Sequence, residues 1–167
     1  MRALACLAFL ATPAVAEDDL LVRYRGAIDA CYQQASESQA VLACQSRLAA
    51  PCMEQEPDGS STHGMVACIH AETLFWDEKL NAEYRVTMRM MREQDSADRA
   101  ARPELAQREE RLRAAQRAWL TYRDASCAFD DILWGEGSMR KIAKVSCLSS
   151  MTAGRTVDLI SIRETFQ

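Results

Sequence analysis

Glycine and proline are both scarce in this chain, six and four among 167 residues. An all-β sandwich needs both at its many turns, and no segment alternates apolar and polar residues as a half-buried strand does, so β architectures are excluded. Histidine is scarcer still, at two. His63 and His70 are too irregularly placed for a zinc pattern, no Cys-x-x-Cys pair exists, and no metal site is expected. Gly135-Glu136-Gly137-Ser138 lacks the lysine and the preceding strand of a phosphate-cradling loop, so no nucleotide or other cofactor is expected. Lysine and arginine form no long run, and the formal charge is −4. Such a chain is a poor ligand for a nucleic-acid backbone, and a partner drawn to it by charge should be basic. No residue set offers a nucleophile, a base and an orienting group together. Glu72 and Asp77 come nearest to a glycosidase pair, but a spacing of five turns them well apart around a helix. The chain reads as a non-enzyme without catalytic residues.

What is present is a globular, exported composition. Hydrophobic residues make up 49% and charged residues 26%. Residues 1–16 read as a signal peptide: Arg2, an apolar run from Leu4 to Leu10, then the small-x-small site Ala14-Val15-Ala16. No other apolar run approaches the roughly 20 residues of a membrane span. The mature chain is therefore expected to be periplasmic or secreted, a single helical domain over residues 17–167. Removing the leader removes Cys6 and leaves Cys31, Cys44, Cys52, Cys68, Cys127 and Cys147. An even number of cysteines in an exported chain predicts disulfides, although sequence alone leaves all pairings open.

Alanine, leucine, methionine, arginine, glutamate and glutamine dominate, as in helices. Leu21, Tyr24, Ile28 and Cys31 mark one face of a first helix. Ser38 is a candidate N-cap for a second, with Val41, Cys44 and Leu48 inward and Pro51 as its stop. Folding these two helices together sets Cys31 opposite Cys44. A loop rich in turn residues, from Pro57 through Gly64, follows and contains His63; Cys52 and Cys68 bracket it and are expected to bond. A third helix is predicted from about Met65 to about Arg92, with its stripe at Ile69, Thr73, Trp76, Leu80, Tyr84, Met88 and Met91. Ser96 to Arg102 reads as a break, and Pro103 suits the first turn of a fourth helix reaching about Asp130. Its expected inner face is Leu105, Leu112, Ala115, Trp119 and Tyr122. The short connection makes helices three and four a long antiparallel pair. Beyond Gly135 and Gly137 a short helix at Met139–Val145 and a last helix capped by Thr152 are expected, with Cys127 bonded to Cys147. The fold class is thus all-α, a disulfide-stapled bundle on a long antiparallel helix pair. Residues 17–64 form an N-terminal helical hairpin and loop, and residues 65–167 the remainder.

Two motifs then stand out. Glu72, Trp76-Asp77, Leu80-Asn81 and Tyr84 read E-x3-W-D-x2-L-N-x2-Y. Downstream come Gln116-Arg117-Ala118-Trp119-x2-Tyr122-Arg123-Asp124-x2-Cys127, the glycine loop, Cys147 and Thr152-x2-Arg155. From Cys68 to Leu159 the chain resembles the LprI-type lysozyme-inhibitor domain. The resemblance implies a helical cell-envelope protein of a family in which some members inhibit lysozyme. It supplies no catalytic residues and no inhibitory motif that transfers residue by residue.

The polar motif residues read as architecture, with Asp77, Asn81, Arg123, Asp124 and Arg155 available as partners for buried indole and phenol groups. The loop Trp134, Gly135, Glu136, Gly137 and Ser138 is the candidate partner-binding site, a bulky aromatic beside flexible glycines with an acid at the tip; the alternative reading has Trp134 folded back as a lid on the core and the glycines merely turning the chain. The leading expectation is a periplasmic protein-binding module that inhibits a lysozyme or engages another basic envelope protein. The alternative is a non-inhibitory structural or stress-related envelope module that binds peptidoglycan or another envelope protein.

Overall fold

The computed structural model describes residues 17–166, and the leader expected at residues 1–16 lies outside the described residues. Among the described residues six α-helices follow one another: α1 (Glu17–Gln34), α2 (Ser38–Leu42), α3 (Ala49–Gln55), α4 (Thr62–Asp98), α5 (Arg108–Leu133) and α6 (Met139–Thr165), with a 3-10 turn at Pro103–Leu105. At 37 residues, α4 is about 55 Å long and forms the spine. The expected hairpin is present: α5 returns antiparallel along α4, with Arg92 against Glu109 at one end and Asp77 against Arg123 further back. Helix α6 reverses again, so it runs parallel to α4, and this pair makes the largest interhelical contact. Thr87 Oγ1 reaches the Leu159 carbonyl at 3.4 Å, and Arg163 pairs with Glu83.

The described residues pack around two apolar clusters. The larger joins Leu20 and Ile28 of α1, Val41 of α2 and Leu48 to Phe75 and Trp76 of α4 and Val157 and Ile160 of α6. The smaller holds Leu80, Met88 and Met91 of α4 against Leu112 and Leu159. The disulfides are Cys31–Cys44, Cys52–Cys68 and Cys127–Cys147, with Cα–Cα distances of 5.7, 5.6 and 5.4 Å. The pairings inferred from loop bracketing are the ones formed. Gly59 and Gly64 must be glycine, because a Cβ would stand 2.2 Å from the Met53 carbonyl oxygen and 2.0 Å from that of Asp58.

Element boundaries differ from the sequence reading, each for a local reason. The second helix divides into α2 and α3 around Ser46, whose φ of 66° no α-helix accommodates. Pro51 lies inside the first turn of α3, where its missing N–H costs nothing. Ser38 is not an N-cap: Glu37 holds that place, and the Ser38 N–H itself donates to Glu164 Oε1 at 2.8 Å. Helix α4 starts at Thr62, so His63 sits in its first turn rather than in a loop, and it continues to Asp98. Pro103 opens the 3-10 turn, with α5 starting only at Arg108. No break separates Met139–Val145 from a last helix. Thr152 lies buried within α6, its hydroxyl donating to the Leu148 carbonyl at 2.7 Å, which satisfies it without a cap.

Three helix starts share a device. At α3, α2 and α5 the local N-cap residue makes no side-chain bond. A carboxylate from a distant helix takes its place. Glu72 of α4 accepts from Ser46 N at 2.7 Å, Leu48 N at 3.1 Å and Ala49 N at 2.9 Å, and also from Trp76 Nε1 at 3.3 Å. Asp95 accepts from Arg108 N and Glu109 N, both at 3.0 Å, and Glu164 serves α2. The free N–H groups and positive end of each helix suit a carboxylate.

Glu72→Ala strips the acceptor from four donors at once. With about 1–3 kcal/mol for each buried donor left unmade, and some recovered by water, the loss should reach about 3 kcal/mol or more. Glu72→Gln should fall between the parent and Ala in a denaturant titration. An Ala variant within about 0.5 kcal/mol of the parent would remove this cap from the account.

Asp95 gives a pH test. Burial pushes its carboxyl up, but the N–H groups of Glu109 and Arg108 and the Arg108 guanidinium outweigh burial and hold it below its ordinary value. Arg108 is the largest influence on Asp98 and, with Arg102, depresses it against burial. A carboxyl lowered on folding stabilises above its unfolded pKa of about 3.9 and loses that stabilisation as pH falls through the folded value. The melting temperature should therefore fall steeply below about pH 4. Asp95→Asn should melt below the parent at neutral pH and converge on it in acid, and a gap independent of pH would contradict the assignment.

Candidate functional site

The five loop residues Trp134 to Ser138 form the turn between α5 and α6, and all are exposed. Gly135 takes a φ of 56°, which turns the chain at little cost for glycine alone. Trp134 does not fold back onto the core: it is 54% exposed. Cys127–Cys147 ties the two helices just behind the turn, and Asp131 crosses between them to Arg140 at 2.8 Å. Arg140 is the main cause of a lowered Asp131 carboxyl, with Lys141 and Lys144 adding to it against burial. Thus a cross-braced hairpin end presents a turn bearing Trp134 and Glu136.

The turn has apolar neighbours that the sequence reading missed. Phe129, Ile132 and Leu133 at the end of α5 are each more than 60% exposed, and Met139 opens α6 at 43%. No residue from 128 to 142 belongs to either core cluster. Spacing alone gave no signal for this, because Phe129 stands seven residues after Tyr122, on a side of α5 that is itself apolar.

The motif residues divide by place. Glu72 and Trp76 are buried and joined to each other, so the indole partner is Glu72 rather than Asp77 or Asn81. Trp119, half-buried, lies against two guanidinium groups: Arg123 at 5.2 Å and Arg155 at 6.0 Å from the ring centroid. Arg155 donates to Gln116 Oε1 at 3.0 Å and meets Asp158, while Arg123 meets Asp124 at 2.9 Å and Asp77 at 3.6 Å. Asp77, Asn81 and Tyr84 of α4 line an open groove with Arg113, Gln116 and Arg123 of α5. Burial raises the Asp77 carboxyl, and Arg123 only partly offsets this. Leu105, Ala115 and Tyr122 are not on the inner face of α5. All three are exposed, Tyr122 at 64%: Leu105 lies in the 3-10 turn before α5, and the buried stripe of α5 runs through Leu112, Gln116, Cys127 and Asp131 instead.

A family model described as "Lysozyme inhibitor LprI" matches residues 52–159, from α3 through most of α6. The chain belongs to the LprI lysozyme inhibitor family. The match takes in two disulfides, the Glu72 cap, the Trp119 stack and the α5–α6 turn, and leaves α1, α2 and Cys31–Cys44 outside. An "Uncharacterized protein R02472" of Rhizobium meliloti (strain 1021) is 29% identical over 120 residues, 69% of this chain and 86% of that protein. No solved structure matches the chain.

The Trp119 stack should matter for folding. Trp119→Ala, at a half-buried site, should cost about 2–3 kcal/mol, which is about 5–10 °C in melting temperature for a chain of this size. Arg123→Ala should cost less, about 1 kcal/mol. Parent-like melting with lost partner binding would make the α4–α5 groove a recognition site.

Proposed function

We propose that this chain is an exported lysozyme inhibitor that acts as a protein-binding module, with the α5–α6 turn as its contact. The observation that carries the reading is the turn itself, with Trp134 exposed beside Glu136 on a hairpin end braced by Cys127–Cys147. Pre-organisation of this kind reduces the entropy lost on binding, and tryptophan is among the best interface anchors. Lysozymes are commonly basic and hold their catalytic carboxylates in a cleft, so an acidic protein with a narrow projecting end suits them. Glu136 is placed to meet cationic groups at the cleft rim, and Trp134 supplies apolar contact. Export is supported by three disulfides, by family membership and by the fact that no helix among the described residues is long and apolar enough to cross a membrane.

A panel of lysozymes, assayed by cell-wall lysis with and without the purified protein, tests the reading. Replacing Trp134 and Glu136 together with Ala should weaken inhibition about thirtyfold or more, at roughly 2 kcal/mol for one good anchor. Helical content and melting should stay at the parent values, since the turn adds nothing to either core. Undiminished inhibition by the folded double variant would exclude the turn, and inactivity of the parent against every lysozyme class would exclude the function.

A further inference from the structure

Helix α5 has a second apolar stripe on the side directly opposite its buried one. Ala115, Ala118, Tyr122, Ala125, Phe129 and Ile132 follow at alternating steps of three and four, the heptad spacing of a helix seam. All six are exposed, with Tyr122, Phe129 and Ile132 at 64%, 62% and 69%. The stripe is small in its first half and large in its second. Its charge is graded too: Arg111 stands one seam step before Ala115, and Glu136 lies in the turn just past the end of α5, beyond Ile132. Arg111 bonds only to the neutral Gln107.

This pattern is complementary to itself in one orientation. Set antiparallel to an identical copy, with the centre between Arg123 and Asp124, the seam forms layers of one large and one small residue. Ala115 meets Ile132, Ala118 meets Phe129, and Tyr122 meets Ala125. The two-fold axis repeats each layer, giving six over about 26 Å of helix. Arg111 then lies near the Glu136 of the other copy, with opposite charges closing both ends. A parallel pairing sets Phe129 on Phe129 and alanine on alanine, and gains neither match. Because the core lies on the far side of α5, nothing in the fold obstructs the approach.

We propose that α5 is a self-association surface, pairing antiparallel with the α5 of a second copy of this chain. One helix per protomer makes a small interface, so the dimer should be reversible, with a dissociation constant of about micromolar order. Glu136 in the outer layer is shared with the turn assigned above to lysozyme. The six inner positions are not, so self-association stands apart from the inhibitor reading.

Analytical ultracentrifugation of the purified protein, disulfides intact, tests this over about 1 µM to 1 mM. The expected result is a concentration-dependent monomer–dimer equilibrium. Phe129→Glu places a charge in a layer and Ala118→Trp fills the space that Phe129 needs; each should weaken the dimer about tenfold or more while monomer melting stays unchanged. Arg111→Glu and Glu136→Arg should each weaken it, and the two together should restore it. Failure of this rescue, with both single variants weakened, would overturn the antiparallel register. A dimer indifferent to Phe129→Glu would overturn the surface. A monomer throughout the range would overturn the proposal, while lysozyme inhibition by that monomer would leave the function above intact.

Discussion

Four N–H groups converge on the carboxylate of Glu72, and much of the N-terminal half depends on that convergence. Ser46, Leu48 and Ala49 have no local side chain to satisfy them at the start of α3. Buried donors without partners are among the costlier defects a fold can carry. By accepting all three, and the Trp76 indole as well, Glu72 permits the left-handed turn at Ser46 and fixes α3 against α4. Asp95 does the same for the connection between α4 and α5, where Arg102 and Arg108 gather on Asp95 and Asp98. Helix ends and interhelical packing are therefore one constraint here, since each cap is also a tertiary contact.

Covalent and ionic bonds extend the same logic outward. Cys31–Cys44 holds α1 to the turn after α2, and Cys52–Cys68 holds α3 to α4, each closing a segment too short or too polar to fix itself. Between α1 and α4, Arg25, Asp29, Lys79 and Glu78 form a ring of ion pairs, and Lys79 also lies over the rings of Tyr32 and Phe75. The Tyr32 phenol is raised well above its ordinary value by burial and by Glu83. The far end of α5 and α6 differs in kind. It is held by one disulfide and the Asp131–Arg140 pair, contributes nothing to either core cluster, and exposes its apolar side chains. A braced end with an uncovered surface is a common arrangement for recognition, which requires rigidity without occupancy.

Family membership and this division of labour agree. The region matched by the family model contains the caps, the tryptophan stack and the braced end, whereas α1 and α2 add a further packed layer against α4 and α6. The groove lined by Asp77, Asn81 and Arg123 draws its shape from the same motif residues that hold α4, α5 and α6 together. Architecture and surface chemistry therefore share residues here.

Helical class, the three cysteine pairings and the exposed glycine turn were legible in the sequence, because each depends on spacing along one chain. Trp76, Leu80, Met88 and Met91 repeat at helical intervals on α4, and Cys52 and Cys68 flank a segment with little apolar content. What the tertiary structure alone decided was which face of α5 turns inward, where α2 and α3 part, and that α6 is one helix. A helix apolar on two sides carries no local mark of which side the core will take; Tyr122 and Ala115 read as inner for that reason, and packing against α6 settled it. Glu72 is a carboxylate on a helix, which in isolation reads as solvated. Only the arrival of three backbone N–H groups from residues more than twenty positions earlier made it a buried cap. Spacing is a property of the sequence, but the partners of a buried charge come from elsewhere in the chain, and the fold supplies them.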